Sequence, residues 1–383
     1  MDKVLSQKSA VHYLHAPIDP FDQRMIEVGE ETGRLPEMLE QIGVELMSVA
    51  ARDLLRGRGA LVDEASGVVK LDRVIVEWAL SQAPSTFTLT SRNPAKQLVI
   101  GGRNVAFGLV AGPPFVHDFE RGRRAGNYAD YCDFIRLAHY FNAIHLIGNQ
   151  VCAPVELPAN SRHLDAYRAN LVYSDLAYHC TAIGAGRARD GIEMMAIARG
   201  ITAEQMAESP GVLTIISVNS PRRFDEAMAD GLMTMARYGQ PVVVTPFTLM
   251  GAMAPVSIAG GMVEQNAEAL AGLALSQLVR PGAPFVYGGF TSNVDMKSGA
   301  PAFGTPSVNI GDRQKGRLRA ASIIDCEADE GSIQQAIAKA LTPEFKASYE
   351  NATTPYGMPG ASAKISSELR TIEICALMQR SFY

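Results

Sequence analysis

The fold is decided by a stretch of chain in which short apolar runs alternate with segments of helical length. At its centre are Val212-Leu-Thr-Ile-Ile-Ser-Val218, a helix-like segment at 222–238, and Pro241-Val-Val-Val-Thr245. Neither apolar run alternates with polar residues, which is typical of strands that are buried on both faces of a parallel sheet. The stretch therefore predicts a strand, a crossover helix and a second parallel strand.

The same alternation continues in both directions along the chain. Helix-like segments and the apolar runs that follow them lie at 127–141 and 143–148, 162–172 and 177–183, 190–199 and 212–218, and 261–278 and 284–287. With Phe115-Val-His117 as a first strand, six strands precede residue 306. A TIM-type (β/α) barrel is favoured over a doubly wound sheet, because no nucleotide-binding loop accompanies the first strand. Since a closed barrel has about eight strands, the prediction is an incomplete barrel.

Other elements are predicted on either side of this region. Helical spacing of apolar residues covers 23–57, and Asp72 is expected to cap a helix over 71–82. Further strands are expected at 87–90, 97–100, 105–110, 307–310 and 321–325. Further helices are expected at 330–341 and 362–371. We therefore divide the chain into an N-terminal helical segment (1–85), a partial barrel (86–306) and an α/β tail (307–383).

The composition indicates a globular protein and excludes several classes of partner. Of the 383 residues 47% are hydrophobic and 20% charged, which suffices for a large core, and the net charge of −5 offers no surface for nucleic acid or an anionic membrane. Five dispersed cysteines argue against a disulfide framework and indicate a reducing compartment. The first residues lack the apolar segment of a signal peptide. We therefore expect a cytoplasmic protein without a membrane or nucleic-acid partner. His and Cys spacings predict no metal site.

A family resemblance is carried by Phe87-Thr-Leu-Thr-Ser-Arg-Asn-Pro94, Phe107-Gly-Leu-Val-Ala-Gly-Pro-Pro114 and Gly288-Gly-Phe-Thr-Ser-Asn-Val-Asp-Met-Lys-Ser-Gly-Ala-Pro301. With 162–168 and 189–200, these stretches resemble the trimethylamine methyltransferase (MttB) family over nearly all of the chain up to residue 306. The resemblance implies a TIM barrel that takes a methyl group from a methylated amine. The implied acceptor is the Co(I) corrinoid (cobalamin) of a separate partner protein, with no cofactor bound tightly by this chain.

The resemblance also narrows the expected substrate. Members that act on trimethylamine carry pyrrolysine, which this sequence does not contain. Members without pyrrolysine use quaternary amines such as glycine betaine, so we expect a quaternary amine and keep a trimethylamine-like substrate as the other choice. A homo-oligomer is compatible with the sequence.

The tail carries a second resemblance. Pro306-Ser-Val-Asn-Ile-Gly-Asp-Arg-Gln-Lys-Gly-Arg317 and Ser322-Ile-Ile-Asp-Cys326 are similar to the C-terminal end of hydrolysing UDP-N-acetylglucosamine 2-epimerases. The two patterns overlap in Phe303-Gly-Thr-Pro306, so the chain is predicted to be chimeric at that point. Two alternatives to a methyltransferase follow, an epimerase fragment and a non-catalytic chimeric product.

Candidate site residues follow from the chemistry of a cationic amine. A trimethylammonium group donates no strong hydrogen bond, so aromatic faces and a carboxylate are its natural holders. In a barrel such residues follow the carboxyl ends of strands. We select Asp295, Tyr287 and Phe247 for the cation, and Asn149, Gln150 and Asn219 for a polar tail. Core packing remains the alternative for the aromatic residues, and turn closure or helix capping for the asparagines. No catalytic residue is identified. His145 and His179, inside apolar runs, are expected to be structural.

Overall fold

The computed structural model describes residues 35–102, 104, 106–109, 112–118, 120–148, 150–255, 258–290, 292–293, 307–310, 321, 323–327, 329–340 and 342–350. The chain divides into two compact units, one of residues 9–291 and one of residues 1–8 and 292–383.

The helices of the first unit are α1 (Leu35–Gln41), α2 (Val49–Gly57), α3 (Arg73–Gln82), α4 (Tyr128–Tyr140), α5 (Arg162–Tyr173), α6 (Ala185–Arg199), α7 (Glu226–Arg237) and α8 (Ile258–Val279). Its strands are β1 (Val44–Leu46), β2 (Leu61–Val62), β3 (Val68–Lys70), β4 (Thr86–Leu89), β5 (Leu98–Gly101), β6 (Phe115–Asp118), β7 (Gly122–Ala125), β8 (Leu146–Ile147), β9 (Ala177–His179), β10 (Val212–Val218), β11 (Arg223–Phe224), β12 (Val242–Pro246), β13 (Leu249–Met250) and β14 (Phe285–Tyr287). The second unit contains β15 (Ser292–Asn293), β16 (Ser307–Ile310), β17 (Ile323–Cys326), α9 (Glu330–Ala340) and α10 (Pro343–Glu350).

A five-stranded parallel sheet is the centre of the first unit. Its strand order is β14-β12-β10-β9-β8, so each strand lies beside the next parallel strand along the chain. One helix lies between each pair in sequence: α5, α6, α7 and α8 in turn. The predicted alternation of parallel strands and helices is confirmed. The described strands do not close into a barrel.

The two faces of this sheet have different surroundings. The Tyr178 hydroxyl donates to the Gly191 carbonyl oxygen of α6 at 2.8 Å, so Tyr178 faces the helices. Ile216 and Val244 share that core with the helices. On the other face, Ala177 and Leu213 pack with Leu89 of β4 near the amino ends of the strands. Further along β10 on that face, Ile215 is 43% exposed. Helices thus cover one face of the sheet, and the β4–β5 hairpin covers the other face only near the amino ends of the strands.

The prediction of 115–117 as a first barrel strand is wrong. β6 pairs antiparallel with β7 in a separate hairpin, since the chain reverses before Gly122, which has a φ of 66°. The left-handed conformation at Gly122 suits this reversal, because glycine has no Cβ to oppose it. At the edge of the parallel sheet, Gly108 forms a parallel β-bridge with Leu146 of β8.

The prediction of a helix over 23–57 is wrong at 44–46, where the chain forms β1. Gly43 has a φ of 85°, and a Cβ there would lie 2.5 Å from the Val69 carbonyl oxygen, so the helix ends. β1 then pairs parallel with β11 and antiparallel with β3. The capped helix after Asp72 is confirmed, because the Asp72 carboxylate accepts from the Val74 N–H at 2.8 Å.

In the second unit β16 pairs parallel with β17, and α9 packs against both strands. The predicted strand at 307–310 and the helix starting at 330 are confirmed, while the helix predicted at 362–371 lies outside the described residues. The chimeric origin of this unit stays a prediction. Among the described residues, no helix is long and apolar enough to cross a membrane.

Candidate functional site

The carboxyl ends of the five parallel strands meet along one edge of the sheet, and four predicted site residues lie there. Gln150 follows β8, Asn219 follows β10, Phe247 follows β12, and Tyr287 ends β14. The two other candidates, Asn149 and Asp295, lie outside the described residues. The rule that placed candidates at strand ends therefore gathered four of them on this carboxyl edge.

Two stacked aromatic rings lie at the carboxyl edge beside β12 and β14, at one end of the sheet. Phe247 stacks on Phe290, with ring centroids 5.0 Å apart and an interplanar angle of 13°. The Phe290 N–H donates to the Pro246 carbonyl oxygen at 3.0 Å, which fixes the two rings relative to each other. Phe290 is 51% exposed, so the pair presents an aromatic surface at the edge.

Two glycines allow the chain to bring Phe290 to this position. A Cβ on Gly288 would lie 2.4 Å from Thr245 Cγ2, and one on Gly289 would lie 2.7 Å from Gln265 Nε2. Sequence reasoning missed Phe290. The signal for it is the glycine pair directly after a strand, which marks a close approach of the backbone.

Tyr287 lies on the helix side of β14. It is in register with Val244, whose side chain packs against the helices, and the Tyr287 hydroxyl accepts from Gln265 Nε2 of α8 at 3.4 Å. Its side chain is 48% exposed. Tyr287 is thus the last residue of its strand, at the carboxyl edge, but its ring is directed towards α8.

Asn219 and Gln150 are both engaged in turns. The Asn219 side chain donates to the Asp225 carboxylate at 3.3 Å, and its backbone exchanges two hydrogen bonds with Arg223. The Gln150 carbonyl accepts from the Gly112 N–H at 3.0 Å, and Gln150 has a φ of 44°. These contacts favour turn closure, the alternative considered for Asn219.

A buried acidic pair on α8 contacts the turn after β10. Glu268 accepts from the Ser220 hydroxyl at 2.8 Å and from the Arg222 N–H at 2.7 Å. Glu264 lies one turn earlier in α8, and both glutamates are fully buried. Arg222 is 2% exposed and has a φ of 51°.

Burial dominates the electrostatics of this pair. It raises the pKa of Glu268 to about 7, while the Arg222 N–H, the Ser220 hydroxyl and the Arg222 charge act in the opposite direction. Sequence reasoning missed the pair because it examined strand ends. The available signal is that Glu264 and Glu268 are the two charged residues of the 22-residue α8 and are spaced to share one face.

His179 of β9 and His145, which directly precedes β8, both hold backbone groups, as expected of structural residues. His179 is 5% exposed and its Nε2 accepts from the Ile215 N–H at 3.0 Å. Burial lowers the pKa of His179 to about 3, so the ring is neutral. His145 Nδ1 accepts from the Phe107 N–H at 3.1 Å. Across the described residues, no cluster of three or more His, Cys, Asp or Glu side chains could hold a metal ion.

Comparison with known proteins identifies a family whose sequence pattern this chain matches. The family model described as Trimethylamine methyltransferase (MTTB) matches residues 2–354. The match continues past Phe303-Gly-Thr-Pro306, where the tail resemblance begins.

Among curated relatives, a glycine betaine methyltransferase of Desulfitobacterium hafniense is 33% identical over 320 residues, which are 80% of this chain and 66% of the relative. A trimethylamine methyltransferase MttB of the same species is 28% identical over 276 residues, 72% of this chain and 55% of the relative. A proline betaine:corrinoid methyltransferase of Eubacterium limosum is 24% identical over 283 residues, 71% of this chain and 57% of the relative. The chain thus spans about 55–66% of the length of these relatives.

Proposed function

The chain belongs to the trimethylamine methyltransferase (MTTB) family, and from that premise we propose that it removes a methyl group from a quaternary amine and passes it to the Co(I) corrinoid of a separate protein. The observation that carries the proposal is the higher identity to a glycine betaine methyltransferase than to a trimethylamine methyltransferase. We therefore take glycine betaine as the first substrate to test and trimethylamine as the second.

The reaction asks little covalent chemistry of the chain itself. The C–N bond breaks, its electron pair stays on nitrogen, and the amine leaves neutral, while the nucleophile is the cobalt of the partner protein. The chain must hold the cation and orient it towards an open edge. In this proposal an outer ring face of the Phe247–Phe290 stack holds the cation, and such a contact is worth about 0.5–2 kcal/mol.

We also propose that the parallel sheet is part of a TIM-type barrel whose substrate lies at the carboxyl edge. The sequential strand order and the single helix between successive strands support a barrel over a doubly wound sheet, because a doubly wound sheet reverses its strand order partway. Asp295, Asn149 and Gln150 keep their proposed substrate roles. For Asn219 and Tyr287 such a role would require the side chain to exchange its contact with Asp225 or with Gln265 for one with the substrate.

A binding experiment tests the aromatic site. Calorimetric titration compares glycine betaine with tert-butylacetate, which has the same shape and a carbon in place of the charged nitrogen. Phe247→Ala and Phe290→Ala are each expected to weaken betaine binding about 3- to 30-fold, and to weaken tert-butylacetate binding less, because only betaine has a cationic head. Phe141→Ala, a half-exposed phenylalanine directly after α4, is the matched control. Equal losses for both ligands would contradict a cation site.

An activity experiment tests the reaction. The full chain is incubated with glycine betaine or trimethylamine and a corrinoid protein reduced to Co(I), and the demethylated amine is measured. Dimethylglycine formed only with all components present is the expected result. Release of UDP from UDP-N-acetylglucosamine would instead favour the epimerase alternative, and no product in either assay would favour the non-catalytic one.

A further inference from the structure

The open face of the parallel sheet, which the helices do not cover, changes in chemistry towards the carboxyl edge. On its two central strands accessible residues alternate with buried ones, so the accessible residues share this face. They are Ile215, Ser217 and Asn219 in β10 and directly after it, and Val243, Thr245 and Phe247 in β12 and directly after it. Ile215 is in register with Val243, and Ser217 with Thr245. The face therefore passes from an aliphatic row through a row of two hydroxyls to Asn219 and Phe247 at the carboxyl edge.

Ser217 and Thr245, the hydroxyl pair, direct their side-chain oxygens into the groove between β10 and β12. The Ser217 hydroxyl donates to the Thr245 carbonyl oxygen at 3.4 Å. The Thr245 hydroxyl donates in the opposite direction, to the Ile216 carbonyl oxygen, at 3.2 Å. Each hydroxyl thus reaches towards the neighbouring strand, and the two oxygens share one groove.

A glycine on the other side of β12 fixes the direction of the Thr245 hydroxyl. A Cβ on Gly288 would lie 2.4 Å from Thr245 Cγ2, so the Thr245 methyl group fills space that only a glycine leaves beside β14. Because the methyl group and the hydroxyl occupy different staggered positions on Cβ, the hydroxyl is left on the side of β10. Packing therefore holds the Thr245 oxygen in the groove.

The hydroxyl pair is weakly engaged by its present acceptors. Hydrogen bonds from a hydroxyl to an oxygen are commonly about 2.7–2.8 Å long, and the two bonds here measure 3.4 Å and 3.2 Å. A hydroxyl hydrogen rotates to suit a better acceptor. A carboxylate is such an acceptor, because hydrogen bonds to an ionised group are roughly twice as strong as those between neutral groups.

We propose that the hydroxyl pair binds the carboxylate of a betaine and thereby selects quaternary amines that carry a carboxylate over those that do not. One carboxylate oxygen accepts from Ser217 and the other from Thr245. This assignment rests on the proposed function, in which the Phe247–Phe290 stack holds the cationic end of the same molecule.

The spacing of the two groups fits a short betaine. Rows two residues apart along a strand are separated by about 6.6 Å, and a cation is held within about 6 Å of a ring centroid. An ammonium and a carboxylate joined by one methylene can therefore reach Phe247 and the hydroxyl pair together. In this orientation the carboxylate lies deeper on the open face, and the trimethylammonium head lies at the carboxyl edge, where it presents a methyl group to the partner protein.

Calorimetric titration with three ligands tests the hydroxyl pair. Glycine betaine has both charged groups, tetramethylammonium has the cation alone, and tert-butylacetate has the carboxylate alone. Ser217→Ala and Thr245→Val each remove one hydroxyl, and valine keeps the methyl group that packs at Gly288. Each variant should weaken the binding of glycine betaine and of tert-butylacetate about 10- to 100-fold, because a hydrogen bond to a charged group is lost. The affinity for tetramethylammonium should change less than about twofold.

Further variants separate the loss of a hydroxyl from a change in packing. Thr245→Ser restores the hydroxyl without the methyl group, so it should recover most of the glycine betaine affinity that Thr245→Val loses. Thr88→Val, at an exposed position of β4, is the matched control and should leave the binding of all three ligands unchanged. Ser217→Ala removes a single oxygen atom, so the comparison stands even where Thr245→Val does not fold. Equal weakening of glycine betaine and tetramethylammonium in Ser217→Ala would overturn the proposal.

The outcomes also distinguish this carboxylate subsite from the proposed function. A wild type that demethylates a quaternary amine, but binds glycine betaine no more tightly than tetramethylammonium, refutes the subsite alone. A wild type that transfers no methyl group, yet binds tert-butylacetate with an affinity that depends on both hydroxyls, refutes the proposed function and supports the subsite.

Discussion

At the scale of single residues, the carboxyl edge contains backbone conformations that side chains other than glycine seldom adopt. Among the described residues, Gln150 and Arg222 are the two non-glycine residues with positive φ, at 44° and 51°, and each follows a strand of the parallel sheet. Such conformations cost about 1–3 kcal/mol and persist where surrounding contacts fix them. Glu268 supplies that contact for Arg222 and Gly112 supplies it for Gln150. Strain of this kind is concentrated at functional loops, which supports the choice of this edge.

The neutral His179 gives a prediction for acid stability. Its folded pKa of about 3 lies below the ordinary value of 6.5, so the unfolded chain binds a proton that the folded chain refuses. The stability contribution is therefore complete above about pH 6.5 and is lost as the pH falls towards 3, by about 1.4 kcal/mol per unit. His179→Gln can accept the same Ile215 N–H without ionising, so its unfolding free energy should fall less steeply with acid.

Urea unfolding at several pH values measures this difference. His117→Gln, at an exposed position of β6, is the control and should follow the wild-type slope. Parallel slopes for the wild type and His179→Gln would show that His179 is protonated at the same pH in both states, contrary to the prediction.

The sequence predicted which candidate residues lie at strand ends, and it did not predict the packing around them. The barrel rule placed Gln150, Asn219 and Phe247 at the carboxyl edge, because strand ends are visible as the ends of apolar runs. Phe290 and the glutamate pair were not predicted, since their positions depend on close packing between β14, α8 and the turn after β10. Packing of that kind joins residues 46 positions apart, as in Arg222 and Glu268, and no local pattern in the chain records it.

At the scale of elements, the contact between α7 and the segment after β9 depends on a glycine. A Cβ on Gly231 of α7 would lie 1.7 Å from the Ala182 carbonyl oxygen, which is backbone and cannot rotate away. We expect Gly231→Ala to lower the free energy of unfolding by about 1–3 kcal/mol through forced displacement of the helix.

Gly186 of α6 is the matched control for this substitution. A Cβ there meets nothing within 4 Å, so Gly186→Ala should leave the unfolding free energy unchanged or raise it by about 0.5–1 kcal/mol, because alanine favours the helix. Thermal or urea unfolding of both variants decides the matter. Similar effects at the two positions would show that helix propensity, and not the contact with Ala182, governs Gly231.

Elements were predictable where the local pattern agreed with the tertiary contacts. β10 has the predicted bounds of 212–218, because its seven apolar or small residues fit a strand in the middle of the sheet. The pattern failed at β1. Its apolar residues have helical spacing, but the segment forms a strand because it pairs with β11, about 180 residues away. It also placed the start of α6 five residues late, at 190 instead of at Ala185.

At the scale of the whole molecule, the apolar cores of the described residues belong to one unit. All three core clusters lie between Met38 and Phe285, within the unit of residues 9–291. The helices, the parallel sheet and the capping β4–β5 hairpin are therefore held together by contacts inside that unit. The sequence boundary at 306 was placed from two resemblances, whereas the compact units divide between 291 and 292. A change of resemblance and a change of packing need not coincide along a chain.

This distribution of cores predicts that the first unit folds without the second. A chain shortened to residues 1–291 keeps every core residue named above, the Phe247–Phe290 pair and the Glu264–Glu268 pair. We expect it to unfold in one cooperative thermal transition, followed by circular dichroism, with a midpoint within about 5 °C of the corresponding transition of the full chain. A shortened chain that melts broadly and binds a hydrophobic dye would show that residues 292–383 are needed for a packed core. The shortened chain also lacks Asp295, and its affinity for glycine betaine can be compared with that of full-length Asp295→Asn. Equal affinities would assign the loss to this carboxylate, and a lower affinity of the shortened chain would show a contribution of the remaining tail.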